Sequence, residues 1–190
     1  MDTEHDFDIE LVRMLVSSRH LMLASMVFRS MLSNRFKEGL ALQMSSRPEI
    51  ALPEDDYAAM AILMNIFHGH TNKVPRQVDL HMLAKLSILV NKYMLQENVQ
   101  FFSETWFGAF QPKDIPGYLS NNPLLWLCII WVFRRPDCFK SATSYLQKEG
   151  NGNLSMEGYP IPEKLVGKSR IKAYRITLLT NCCGRCYQSG

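Results

Sequence analysis

The sequence predicts an α+β fold: a small β-sheet flanked by a cluster of α-helices and followed by an α-helical extension. Three observations carry that expectation. Short apolar stretches at 9–16, 40–46 and 49–52 end on or surround Ser17-Ser18 and Arg47-Pro48, as short strands do at turns. Between Pro53 and Phe110 apolar residues recur instead at helical spacing. Beyond Phe110 the punctuation changes to Pro112, Pro116-Gly117 and Asn121-Asn122-Pro123, and a second helical group begins. A chain of 190 residues accommodates one compact domain with a small appendage, so the expected division is a domain over 9–110, a helical extension over 111–165 and a basic, cysteine-containing tail over 166–190.

Each element has its own signal. Residues 9–16 alternate imperfectly and read as a strand. From Arg19 to Leu32, Leu21, Phe28 and Leu32 recur at i, i+7 and i+11, and Ser25 is placed to cap a second short helix after the first. Arg47-Pro48 makes 40–46 and 49–52 short edge strands around a turn, because proline offers no ladder N–H. Pro53-Glu54-Asp55-Asp56 is an acidic helix start, Met60, Leu63, Met64 and Phe67 follow at helical spacing, and Gly69 is placed to end that helix. Met82, Leu86, Leu89 and Tyr93 give the next helix its stripe, and Val99, Phe102, Trp106 and Phe110 the one after. Asn121-Asn122-Pro123 reads as a cap with proline in the first helical position, leading into the apolar block to Phe133 and a helix from Asp137 to Gln147.

Composition excludes several classes. Hydrophobic residues at 47% and charged residues at 21% exclude a disordered or collagen-like chain, and a net charge of +3 demands no polyanionic partner. The longest apolar run, Leu124 to Phe133, is ten residues, half of what a bilayer span of about 20 requires. The first ten residues carry five acids and no Lys or Arg, the reverse of a secretory signal, so an intracellular address, cytoplasm or nucleus, is expected. No membrane or direct nucleic-acid contact is expected, and no disulfide framework from the five cysteines.

Residue patterns that carry chemistry are few. His68, His70 and His81 lie close in sequence, yet no nearby carboxylate or thiol completes a zinc shell. Cys182, Cys183 and Cys186 contain a Cys-x-x-Cys half-site without a second pair; a metal- or redox-responsive regulator built on them is the alternative function. Nucleophile elbows, zinc-protease motifs and phosphate-cradling loops are absent, and Cys128 or Cys138 would need a histidine from elsewhere in the fold to act as a nucleophile. The expectation is a protein with no catalytic residue, no metal and no cofactor.

The segment from Val16 to Leu32 (VSSRHLMLASMVFRSML), with His20, Ala24, Ser25, Phe28, Met31 and Leu32 in register, resembles the opening helices of a BTB/POZ domain. The likeness continues through Leu52-Pro53-Glu54-Asp55-Asp56, the helix to Phe67-His68-Gly69 and the long helix closing on Asn91-Lys92-Tyr93. It is nearest to the fungal BTB proteins, in which runs similar to Leu125–Phe133 and to Pro160-Ile161-Pro162-Glu163 follow the domain. The resemblance implies a non-enzymatic module that works by homo- or hetero-oligomerisation with itself or another BTB protein, as an adaptor or as a scaffold associated with transcription or a ubiquitin ligase. The interface it implies is the first-helix face: Leu21, Met22, Ser25, Phe28, Met31 and Leu32. The strand that usually precedes 9–16 is missing, which disfavours strand-exchanged dimers. A cullin scaffold as partner is not favoured, because the hydrophobic-x-acid pattern that aids its recruitment is missing: Asp79 is the one acid between Asn72 and Lys85, with Gln77 two places before it.

Overall fold

The computed structural model describes residues 12–45, 47–110, 117, 121 and 123–149. The helices are α1 (Ser18–Ala24), α2 (Met26–Met31), α3 (Lys37–Met44), α4 (Tyr57–Phe67), α5 (Leu80–Lys92), α6 (Gln100–Gly108), α7 (Pro123–Val132) and α8 (Pro136–Glu149), with a 3₁₀ turn at Thr71–Lys73. The expected tail over 166–190, Cys182, Cys183 and Cys186 included, lies outside the described residues.

The α+β expectation is overturned: the described residues contain no strand. Of the three stretches read as strands, 9–16 is described from Val12 onward, where it is irregular. Residues 12–16 take part in no backbone–backbone hydrogen bond among the described residues, and a strand without a ladder is not a sheet. Residues 49–52 are likewise irregular, held near residue 13 by an exposed Arg13–Glu49 ion pair at 3.2 Å. The 40–46 stretch is helical through Met44, as the C-terminal part of α3. Its composition explains why: Lys37, Glu38, Ala41, Leu42, Gln43 and Met44 are mostly strong helix formers, and together they outweigh the turn signal of Pro48.

The other helices form where the sequence reading puts them, for local reasons; the cap read at Asn121-Asn122 involves Asn122, which lies outside the described residues. Ser25 is the break between α1 and α2: its backbone N–H closes α1 on the Leu21 carbonyl, and its hydroxyl oxygen accepts the Phe28 N–H as the cap of α2. Asp56 and Asp79 cap α4 and α5 by accepting the Ala59 and Met82 N–H groups. Three helices then end the same way. The N–H groups of His70, Leu95 and Arg135 reach back to the carbonyls of Asn65, Val90 and Ile130, and the residues before them, Gly69, Met94 and Arg134, have φ of 72°, 54° and 52°. This is the Schellman closure with a left-handed residue just past the helix, filled by glycine only once.

The core is built on α5, which packs against α4 on one side and α7 on the other; α7 packs in turn on α8, and α1 on α2 and α4. Leu80, Leu83, Ala84, Leu86, Ser87, Leu89 and Val90 of α5 are all buried, more than one stripe, because the helix is covered from two directions. In α7, Trp126 to Ile130 and Val132 are buried, and a helix apolar all round can only sit inside. Each such Leu, Ile or Val contributes about 1.5–3 kcal/mol of transfer free energy. One continuous buried cluster runs from Leu21 to Ala142, so the extension shares its core with the preceding helices.

Candidate interaction surface

The residues expected to form an interface sit on α1, α2 and the turn after them. Leu21, Ser25, Phe28 and Leu32 are buried and Met22 and Met31 half-buried. Phe28, 1% exposed, stacks on the Tyr93 ring at 4.3 Å between centroids, nearly parallel. The Ser25 hydroxyl donates to the Tyr93 carbonyl at 2.6 Å while accepting from Phe28. Tyr93 donates through its own hydroxyl to Asp55, which also receives Lys92 Nζ at 2.7 Å. The inward face of α1–α2 is therefore bolted to the end of α5 and to the loop before α4.

What a partner can reach on these helices is the opposite face, Leu23 (77% exposed) and Met26 (70%). They belong to a wider distribution. Of twelve large apolar residues exposed among the described residues, eight lie between 12 and 44: Val12, Met14 and Leu15 before α1, Leu23 and Met26, and Phe36 at the N-cap of α3 with Leu40 and Met44 on it. The last three, at i, i+4 and i+8, form one ridge along the helix, and Met44 is 90% exposed. α3 turns this ridge outward because Gly39, on its other side, is pressed against the backbone carbonyl groups of Leu32 and Ser33 in the turn after α2. The charges around the ridge are mostly of one sign: from 12 to 47 there are six Lys or Arg residues, all exposed, and one acid, Glu38.

The other candidate chemistry does not assemble. His20, His68 and His70 bring their rings within 4.9 and 6.2 Å centroid separations, but both nitrogens of His68 are occupied. Its Nε2 accepts the Ser17 N–H at 2.8 Å, and Nδ1, which must carry the proton, donates to the Met64 carbonyl at 2.8 Å. The imidazole thus ties the start of α1 to the end of α4. His81 stands apart and exposed in the first turn of α5, and no group of three His, Cys, Asp or Glu among the described residues is placed to hold a metal. Cys128 is fully buried against Ser87, 3.4 Å away, and burial pushes its thiol up despite that hydrogen bond, the opposite of an activated nucleophile. Cys138 is half-buried, and both are free thiols.

No helix among the described residues is long and apolar enough to cross a membrane. The chain matches no family model, no curated protein and no solved structure.

Proposed function

We propose that the protein is a non-enzymatic protein–protein interaction module acting by homo- or hetero-oligomerisation, as the BTB/POZ resemblance implies, with a second copy or another protein of that kind as partner. The sheet of that family is not part of the proposal. The observation that carries it is the concentration of exposed apolar side chains on the 12–44 region, against a well-packed core elsewhere. Covering such a surface releases about 25 cal/mol for each Å² of apolar area removed from water. An intracellular setting belongs to the same reading, supported by the free thiols of Cys128 and Cys138.

The test is solution mass by light scattering over a concentration series under reducing conditions, with Leu40→Glu/Met44→Glu as comparison. Phe28 is unsuitable as a probe, because a charge at a 1% exposed core position unfolds the helix pair rather than reporting on a contact. Self-association that the double substitution weakens, with the helical content unchanged, is the expected result. A monomer at every concentration, together with identical solubility of the two proteins, removes this surface as an interface for a second copy.

A further inference from the structure

The α3 ridge has a counterpart on the same molecule. On α6, Phe101 is 75% exposed and Glu104 lies three residues on along the same face; Glu97 stands in the turn that leads into α6, and both glutamates are exposed. This is an acidic ridge with an aromatic centre. The α3 ridge is its complement: Phe36 at the N-cap, Leu40 and Met44 on the helix, with exposed Lys37 in the first turn and exposed Arg35 and Arg47 flanking the helix in sequence. Among the described residues Glu97, Glu104, Arg35 and Arg47 take part in no ion pair, and Lys37 reaches only its neighbour Glu38 at 3.8 Å.

We infer that the basic apolar ridge of α3 docks on the acidic aromatic ridge of α6 in a second copy of this chain. The inference rests on the proposed function and names the partner surface. Charge complementarity selects the occupant: apolar contact between the ridges supplies the gain, and opposite charges at their edges set the register and disfavour α3 on α3. Because each copy carries both ridges, a two-fold dimer makes the contact twice, with α3 of each copy on α6 of the other. Charges at the rim of a contact are screened over about 8 Å at physiological salt, so the association weakens as salt is raised and persists in part through the apolar centre.

Charge exchange tests this directly. One variant carries Arg35→Glu and Lys37→Glu, so that both ridges are acidic; the other carries Glu97→Lys and Glu104→Lys, so that both are basic. All four positions are exposed, and circular dichroism checks that the helices are kept. Each variant alone is expected to associate at least about tenfold more weakly than the wild-type protein. An equal mixture is expected to recover association, since each ridge then meets its opposite in the other variant. Failure of the mixture to associate overturns the inference, as does wild-type behaviour of the α6 variant. If Leu40→Glu/Met44→Glu disrupts the wild-type assembly while the α6 variant does not, this pairing falls and the proposed function stands. A wild-type protein that stays monomeric at every concentration, whether or not it binds vesicles of anionic lipid, overturns the inference, while the proposed function then stands on a different protein as partner.

Discussion

Tyr93 donates its phenolic hydrogen to Asp55, a carboxylate whose side chain is only 3% exposed and which has Lys92 as its other partner. One bond thereby joins the C-terminal end of α5 to the loop that starts α4, directly beneath the Phe28 ring. Tyr93→Phe keeps the stack on Phe28 and removes only the donor, leaving a buried carboxylate oxygen unsatisfied. The expected cost is about 1–3 kcal/mol in urea or thermal unfolding at pH 7. Burial and the bond to Asp55 both hold the phenol in its protonated form, well above the ordinary tyrosine range. A raised folded value means the contribution is complete below the ordinary value of 10.0 and fades as pH climbs past it. The stability gap between wild type and Tyr93→Phe is therefore expected to stay constant to about pH 9 and to narrow in more alkaline solution.

Gly39 is the one position in α3 where the helix cannot carry a side chain. A β-carbon there would lie 1.7 Å from the Ser33 carbonyl oxygen and 2.9 Å from the Leu32 carbonyl carbon, all backbone atoms that cannot swing aside. Alanine improves intrinsic helix propensity by up to about 1 kcal/mol, but relieving the overlap must shift α3 bodily. Gly39→Ala is thus expected to be destabilising by about 1–3 kcal/mol, read from a urea midpoint, and to weaken the proposed self-association by moving the Phe36–Met44 ridge. Unchanged stability would place α3 elsewhere.

These two sites show what could be read in the sequence and what could not. Helices α4 to α6 announce themselves because apolar residues recur at helical spacing, α7 because it is an apolar run entered through a proline, and Ser25, Gly69 and Pro123 mark boundaries by their own backbone chemistry. The 40–46 stretch misleads because seven residues beside a proline are too few to show a period, and only the helix-forming character of Lys37 to Met44 argues the other way. The interface face is ambiguous for a different reason. The stripe of Leu21, Phe28 and Leu32 marks a surface to be covered, but spacing carries no information on whether the cover is the chain itself or a partner. Here Tyr93 and the neighbouring helices cover it, and the reachable side chains Leu23 and Met26 are those that fall off the stripe.

Helix ends offer a pair of substitutions of opposite sign. Met94 occupies the left-handed position after α5 with its side chain 60% exposed, so Met94→Gly removes steric strain and sacrifices little burial. Against the greater freedom glycine gives the unfolded chain, a net gain of about 0.5–1 kcal/mol is expected. Gly69→Ala, at the equivalent position after α4, is expected to lose about 1 kcal/mol. Thermal unfolding of the two variants side by side decides it: a loss from Met94→Gly would contradict the shared closure of α4, α5 and α7.

Thiol reactivity should separate the two described cysteines. Cys128, fully buried between α5 and α7 with its thiol pushed up, is expected to resist iodoacetamide until the protein is unfolded, whereas half-buried Cys138 is alkylated in the native state. Peptide mass spectrometry after brief labelling distinguishes the two. Rapid native alkylation of Cys128 would mean that α7 does not cover α5.

Acid should act through Asp56, which caps α4 and pairs with Lys85 at 2.7 Å. Burial alone would raise its carboxyl, but the Lys85 ammonium and the Ala59 N–H outweigh that and hold it below the ordinary value of 3.8. A depressed folded value stabilises the native state fully above the ordinary value, and the contribution disappears as pH falls through the lower, folded one. Asp56→Ala is expected to cost about 1 kcal/mol at pH 7, in the range of a lost N-cap. Asp56→Asn still accepts the Ala59 N–H and should lose less at neutral pH, because the ion pair it gives up is largely solvent-exposed on the Lys85 side and worth little. Unfolding curves at intervals from pH 7 to pH 2 should then show the wild-type advantage over Asp56→Asn flat above about pH 5 and vanishing below the carboxylate range. An advantage that instead grows in acid would mean that Asp56 is protonated in the native state and that Lys85 is not its partner.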